Sequence, residues 1–105
     1  MLALGASAQQ NQWTGGGGND DWSNAANWTI GVPNSGANPG GVLLDGTGGG
    51  VLAASEVVAA SIHGGLTQVW IQNGHTVTQT AGTLQTTGGH HIMIGDAGTA
   101  TYIQN

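Results

Sequence analysis

Val69-Trp70-Ile71-Gln72-Asn73-Gly74-His75-Thr76-Val77-Thr78-Gln79 decides the fold. An apolar run that reads as deeply buried ends at a glycine-centred turn, and an alternating run starts immediately beyond it. Strand side chains point to opposite faces in turn, so Thr76-Val77-Thr78 sets one valine against two threonines. Outward from this stretch the same texture recurs from Gly41 on. Short runs fall at 42–44, 51–53, 57–62, 66–71, 75–80, 83–86, 91–94 and 99–103, punctuated by glycine. Each predicts a short strand, and no apolar stripe of helical period lasts long enough for a substantial helix. Ile92-Met93-Ile94, like Val69-Trp70-Ile71, reads as core.

Many short strands with tight turns fit two architectures, an antiparallel β-sandwich or a β-solenoid. Internal similarity favours the second. Trp70-Ile71-Gln72-Asn73 is echoed by Tyr102-Ile103-Gln104-Asn105, and Val77-Thr78-Gln79 matches Tyr102-Ile103-Gln104 at an offset of 25 residues. Similarity at such periods marks stacked units that bury a core only against their neighbours. Glycine suits such a chain, because its corners call for positive φ.

Before Gly41 the pattern differs. Trp13, Trp22 and Trp28 stand among Gly15-Gly16-Gly17-Gly18-Asn19-Asp20 and Pro33-Asn34-Ser35-Gly36, which is turn chemistry. Ser23 is placed to cap a short helical turn through Asn24-Ala25-Ala26-Asn27. At the very start, Leu2-Ala3-Leu4-Gly5-Ala6-Ser7-Ala8 is apolar and ends in a small-x-small triplet, followed by polar Gln9-Gln10. That reads as the end of a secretory leader cleaved after Ala8; the plainer reading is a short apolar terminus that packs on the domain. The expected organisation is a leader remnant at 1–8, a Trp/Gly-rich cap at 9–40, and solenoid rungs at 41–105.

Composition removes whole classes of function. The 105 residues hold five acidic side chains, no Lys or Arg, and a net charge of −5. Nucleic acid and anionic membrane surfaces both require cationic contacts, so neither is expected as a partner. A phosphate loop needs its lysine, which the glycine runs at 15–18 and 48–50 lack. Without cysteine there is no disulfide, thiol nucleophile or thiolate metal site. No segment is long enough to span a membrane as a helix. Hydrophobic residues at 38% favour a folded β protein over a disordered linker.

Trp13-Thr14-Gly15-Gly16-Gly17-Gly18, then Trp22-Ser23-Asn24-Ala25-Ala26-Asn27-Trp28 and Gly31-Val32-Pro33, resembles the opening module of large exported bacterial surface proteins. These are the autotransporter-type passengers and PEP-CTERM-type secreted proteins. Thr80-Ala81-Gly82-Thr83-Leu84 and the stretch from Ile94 to Tyr102 are similar to the β-strand repeats that follow that module. The resemblance spans residues 13–105 and implies a right-handed parallel β-helix, export to the cell surface or medium, and no catalytic residues to carry over. Such proteins run to hundreds of residues, and this sequence stops in mid-pattern at Gln104-Asn105. The parent is therefore expected to continue past both ends.

Each group of chemically able residues has a plain reading beside a functional one. Asp20-Asp21 lie in a glycine-rich turn where Asp binds its own backbone, and Asp45, Glu56 and Asp96 are isolated in sequence. No catalytic carboxylate pair of the glycosidase kind is expected. His90 and His91 are adjacent and would face opposite ways on a strand, while His63 and His75 sit near turns; no metal site is expected. Gly15 to Trp22 faintly matches a calcium-binding nonapeptide, but one copy reads as a turn. Thr76, Thr78 and Thr80 with Thr99 and Thr101 form a short ladder of the ice-binding kind, or simply exposed strand positions. Trp13, Trp22 and Trp28 either offer flat faces for sugar stacking or fold over the N-terminal end as its cap, the expected use. The sequence thus predicts a non-catalytic structural or adhesive segment of an extracellular bacterial protein, with a carbohydrate-binding module as the alternative. It uses no cofactor, and its expected partners are surface polysaccharide or a second copy at the C-terminal strand edge.

Overall fold

Alternation in sequence becomes columns of side chains once strands lie parallel and in register. The structure, a computed structural model, describes residues 10–33, 40–53, 56–58, 68–86 and 88–105. Its strands are β1 (Asn11–Gln12), β2 (Val42–Asp45), β3 (Gly48–Leu52), β4 (Glu56–Val58), β5 (Val69–Gln72), β6 (His75–Gln79), β7 (Leu84–Thr86), β8 (Ile92–Ile94) and β9 (Thr101–Gln104). They form three small sheets, ordered β1-β2-β5-β8, β3-β6-β9 and β4-β7. Among the described residues the pairings between these strands are all parallel, so the antiparallel sandwich is not the architecture. The leader at 1–8, His63 and positions 59–62 and 66–67 of the expected runs lie outside the described residues.

Register explains the core. Val42, Val69 and Ile92 stand opposite one another, as do Leu44, Ile71 and Ile94. Val42, Leu44, Val69 and Ile71 are fully buried. Ile94, in the last strand of its column, is 50% exposed, so the deep burial expected of Ile92-Met93-Ile94 does not hold. A side chain in a parallel column is covered from both sides only where a strand lies beyond it. In the second sheet Val77 stands opposite Tyr102 and Gln79 opposite Gln104, which is the 25-residue echo seen in sequence. The other echo is not a pairing, since Trp70 stands opposite Met93. Gln79 is buried with its polar atoms used: it donates to the Gly82 carbonyl (2.8 Å), and its Oε1 accepts from Tyr102 Oη (2.8 Å) and Gln104 Nε2 (3.1 Å).

Two local readings change. The strand expected from Val51 begins at Gly48, because the three glycines pair with His75, Thr76 and Val77 in a regular ladder. The helical turn is a 3₁₀ turn over Ala25–Asn27 capped by Asn24, not Ser23, with Asn24 Oδ1 accepting from Ala26 N at 3.0 Å. At the β5–β6 corner Asn73 takes φ 54°, a conformation Asn tolerates better than most residues. Its Nδ2 donates to Asp45 Oδ1 (2.7 Å) and its backbone N donates to the Ala97 carbonyl (2.9 Å), joining three successive corners. The threonine ladder is broken: Thr76 faces Thr101, but Thr78 stands between Val51 and Ile103.

Leu44→Ala removes a side chain enclosed on all sides, and we expect a loss of about 2–5 kcal/mol. Ile94→Ala, at an exposed place in the same column, should cost less than about 1 kcal/mol. Urea unfolding of the two variants checks the difference; equal losses would mean that burial does not fall along the column.

Candidate site at the tryptophan-covered end

Residues 12–31 fold onto the first strands through a set of polar contacts that the sequence shows only as scattered Asn, Asp and Gly. On the outer edge of β1, Thr29 N donates to the Gln12 carbonyl (3.0 Å) and Thr14 N to the Asn27 carbonyl (2.7 Å). On the outer edge of β3, Val51 N donates to the Asp20 carbonyl (2.6 Å) and Trp22 N to the Val51 carbonyl (2.9 Å). Asn27, fully buried, accepts from Gly17 N (2.8 Å) and donates to Asn19 Oδ1 and the Asp21 carbonyl (both 2.9 Å). Asn11, equally buried, accepts from Ile30 N and donates to the Gly31 carbonyl. Buried polar groups are tolerated only when paired in this way. Burial of Asn27 also closes the Asn27-Trp28-Thr29 sequon to glycosylation in the folded chain.

The three tryptophans have different fates. Trp22 and Trp28 are buried in the main core cluster, and Trp28 Nε1 donates to the Trp22 carbonyl at 2.8 Å. Their rings meet at 4.9 Å and 65°, and Trp13 meets Trp28 at 5.1 Å and 87°. Trp13 alone remains half-buried. Flat faces for sugar stacking are therefore not offered by Trp22 or Trp28. The cluster packs over Gly50, where a Cβ would lie 3.6–3.8 Å from Leu44, Trp22 and Trp13, at ordinary contact distance.

Beside Trp13 opens a cleft of about 370 Å³, lined by Thr14, Asn19, Asp20, Asp45 and Thr47 with glycines 15, 18, 48 and 49. Asp20 and Asp45, far apart in sequence, share this cleft, which corrects the reading of Asp45 as isolated. Asp21 behaves as expected of a turn residue, its Oδ1 accepting from Ser23 N at 2.9 Å. Behind the cleft lies His75, 1% exposed. Its ring occupies the space a side chain at Gly48 would need, with Cε1 2.9 Å from that Cβ position, and meets Trp13 at 6.0 Å and 77°. The histidine, expected to open a strand beside a turn, is thus an inward-facing core residue. Neither ring nitrogen makes a hydrogen bond of good geometry among the described residues. Among those residues no three His, Asp or Glu side chains gather as metal ligands; His90 and His91 lie just before β8 in the first sheet, while His75 is in the second.

Burial lowers the pKa of His75 below 6.5, against weaker opposing effects of the Gly46 carbonyl and the Asp20 and Asp45 carboxylates. The unfolded chain therefore binds this proton more readily than the folded one. Stability from the neutral ring is complete above pH 6.5 and is lost as pH falls through 6.5 towards the folded value. Thermal midpoints from pH 8 to 5 should fall below about 6.5, and His75→Leu should flatten that part of the curve. An unchanged slope in the variant would assign the acid sensitivity elsewhere.

No family model, curated protein or solved structure matches the chain, so what the site can do is read from its own geometry.

Proposed function

We propose that the chain is a non-catalytic structural or adhesive segment of an exported bacterial surface protein, folded as a right-handed parallel β-helix with residues 9–40 as its N-terminal cap. The observation that carries this reading is the covered strand edge: the outward-facing backbone groups of Gln12 in β1 and Val51 in β3 are bonded to residues 20–29. Open strand edges invite pairing with other chains, and terminal units of stacked folds need a polar cover. Trp22 and Trp28 serve that cover from beneath. The solenoid reading is supported by the order of visits: strands go to the first, second and third sheet in turn, and each pairs with the strand three elements later from β2 on. Parallel crossovers of this kind are almost always right-handed. Among the described residues no helix is long and apolar enough to cross a membrane.

Export rests on the sequence of residues 1–8 and on the resemblance to exported surface proteins. Expressing the full-length gene in a bacterial host and sequencing the mature product tests it. The expected N-terminus is Gln9; a product that keeps Ala6-Ser7-Ala8 overturns the leader reading.

The chain's other expected contact is with itself. β8 and β9 each pair on one side only among the described residues, with Ile94 and Ile103 at 50% and 43% exposure and no Lys or Arg to guard the edge. A polypeptide of these 105 residues is expected to associate through that edge as concentration rises, read by light scattering. A monodisperse folded monomer would show that the edge is covered.

A further inference from the structure

The cleft beside Trp13 is built from carboxylates, amide and hydroxyl groups and an indole, in a chain without Lys or Arg. Of its polar side chains, Asn19 Oδ1 is already taken by Asp21 N, Asn24 Nδ2 and Asn27 Nδ2. Thr14 Oγ1 is taken by Gly16 N. Asp45 has one oxygen held by Asn73, and the Asp20 carboxylate accepts no hydrogen bond from a described side chain or backbone group. The unsatisfied chemistry is therefore carboxylate chemistry. No third His, Asp or Glu joins the two carboxylates there among the described residues. Trp13 is held rigidly in the wall by its edge contacts with Trp28 and His75, so it is preorganised as a contact surface. Behind the glycine floor, the buried His75 ring presses towards Gly48 and backs the wall of the cleft.

We propose that this cleft binds a planar organic cation, the guanidinium of an arginine side chain on a partner polypeptide. Guanidinium offers five donors in a flat fork that matches carboxylates, and its weakly hydrated plane lies well along an indole. The cleft volume of about 370 Å³ lies in the range of small-ligand sites. No copy of this chain can supply the group, because the sequence contains no Arg or Lys. The partner is therefore an arginine-bearing segment outside these 105 residues. This gives the adhesive reading a chemical target, on which it rests only for its biological setting; the binding itself does not depend on export or on strand-edge association.

The experiment is a titration of the ¹⁵N-labelled chain with acetyl-Gly-Arg-Gly-amide, following the four tryptophan indole N–H signals by NMR. The Trp13 signal, assigned with Trp13→Phe, is expected to shift saturably while those of Trp22 and Trp70 stay in place. The citrulline peptide, equal in shape but neutral, should leave it unmoved. Asp20→Asn and Asp45→Asn should each weaken binding about threefold, as for partly exposed ion pairs, and the two together about tenfold. Retained positions of the Trp22 and Trp28 signals show that the variants still fold, and Asp20→Asn removes no hydrogen bond seen in the structure. The proposal is overturned by no saturable shift, by equal binding in the double variant, or by equal response to the citrulline peptide. Response to cellotriose or calcium chloride in place of the arginine peptide would assign the cleft to a sugar or a metal ion, and equal binding of the lysine peptide would remove the planar group.

Discussion

At Gly48-Gly49-Gly50 the backbone is hydrogen-bonded on one side to β6, and the strand they begin is bonded on the other to residues 20–22, yet no side chain stands between. That absence governs the packing around it. His75 leans into the place of a side chain at Gly48, Asp20 lies over Gly49, and Leu44, Trp22 and Trp13 lie at ordinary contact distance over Gly50. Any side chain at Gly48 meets the buried imidazole at 2.9 Å, closer than carbon atoms sit without something moving. Glycine inside a strand usually weakens it. Here the glycine at 48 leaves the buried imidazole the room that a side chain would take.

The same constraint makes the two ends of the strand stack unequal. On the side of β1 and β3, Gln12 and Val51 are bonded to the cover, and the columns meet Asn11 over Val42 and the indoles of Trp13 and Trp22 over Gly50. On the side of β8 and β9 the columns end in Ile94 and Tyr102, which are only partly covered. Polar side chains follow the same division of labour. Asn27 and Asn11 each satisfy several backbone groups of irregular loops, whereas Gln79 and Asn73 tie one strand layer to the next. In a chain without basic residues, amides take over the bridging that ion pairs perform elsewhere, and they do so without the desolvation cost of a buried charge.

The cleft is a by-product of that cover. Residues 14–20 loop over the end of β3 in turns with positive φ at Gly15 and Gly18, and this brings Asp20 to the same opening as Asp45 at the end of β2. Trp13 is the ring left half in the wall because Trp28 and His75 occupy its other sides. Both carboxylates face an environment that the chain itself cannot neutralise.

Strands were legible in the sequence because alternation and glycine punctuation are local, and each of the runs from 42 onward corresponds to a strand in the structure. The all-β class and the 25-residue match of Val77-Thr78-Gln79 with Tyr102-Ile103-Gln104 belong to the same local signal, since stacked parallel strands place similar residues opposite one another. β1 escaped notice because two residues, Asn11 and Gln12, carry no pattern; it exists only because β2 lies beside it. The fate of each tryptophan was equally undecidable from composition: three similar rings in a glycine-rich stretch became two core residues and one cleft wall. What the tertiary structure alone decided was proximity. Asp20 and Asp45 are 25 positions apart in a chain whose loop lengths do not reveal how far they fold back, and His75 reads only as the start of a strand beside a turn until register sets it opposite a glycine. Local patterns fix which residues can form a strand; only the packing of one strand on the next fixes what those residues touch.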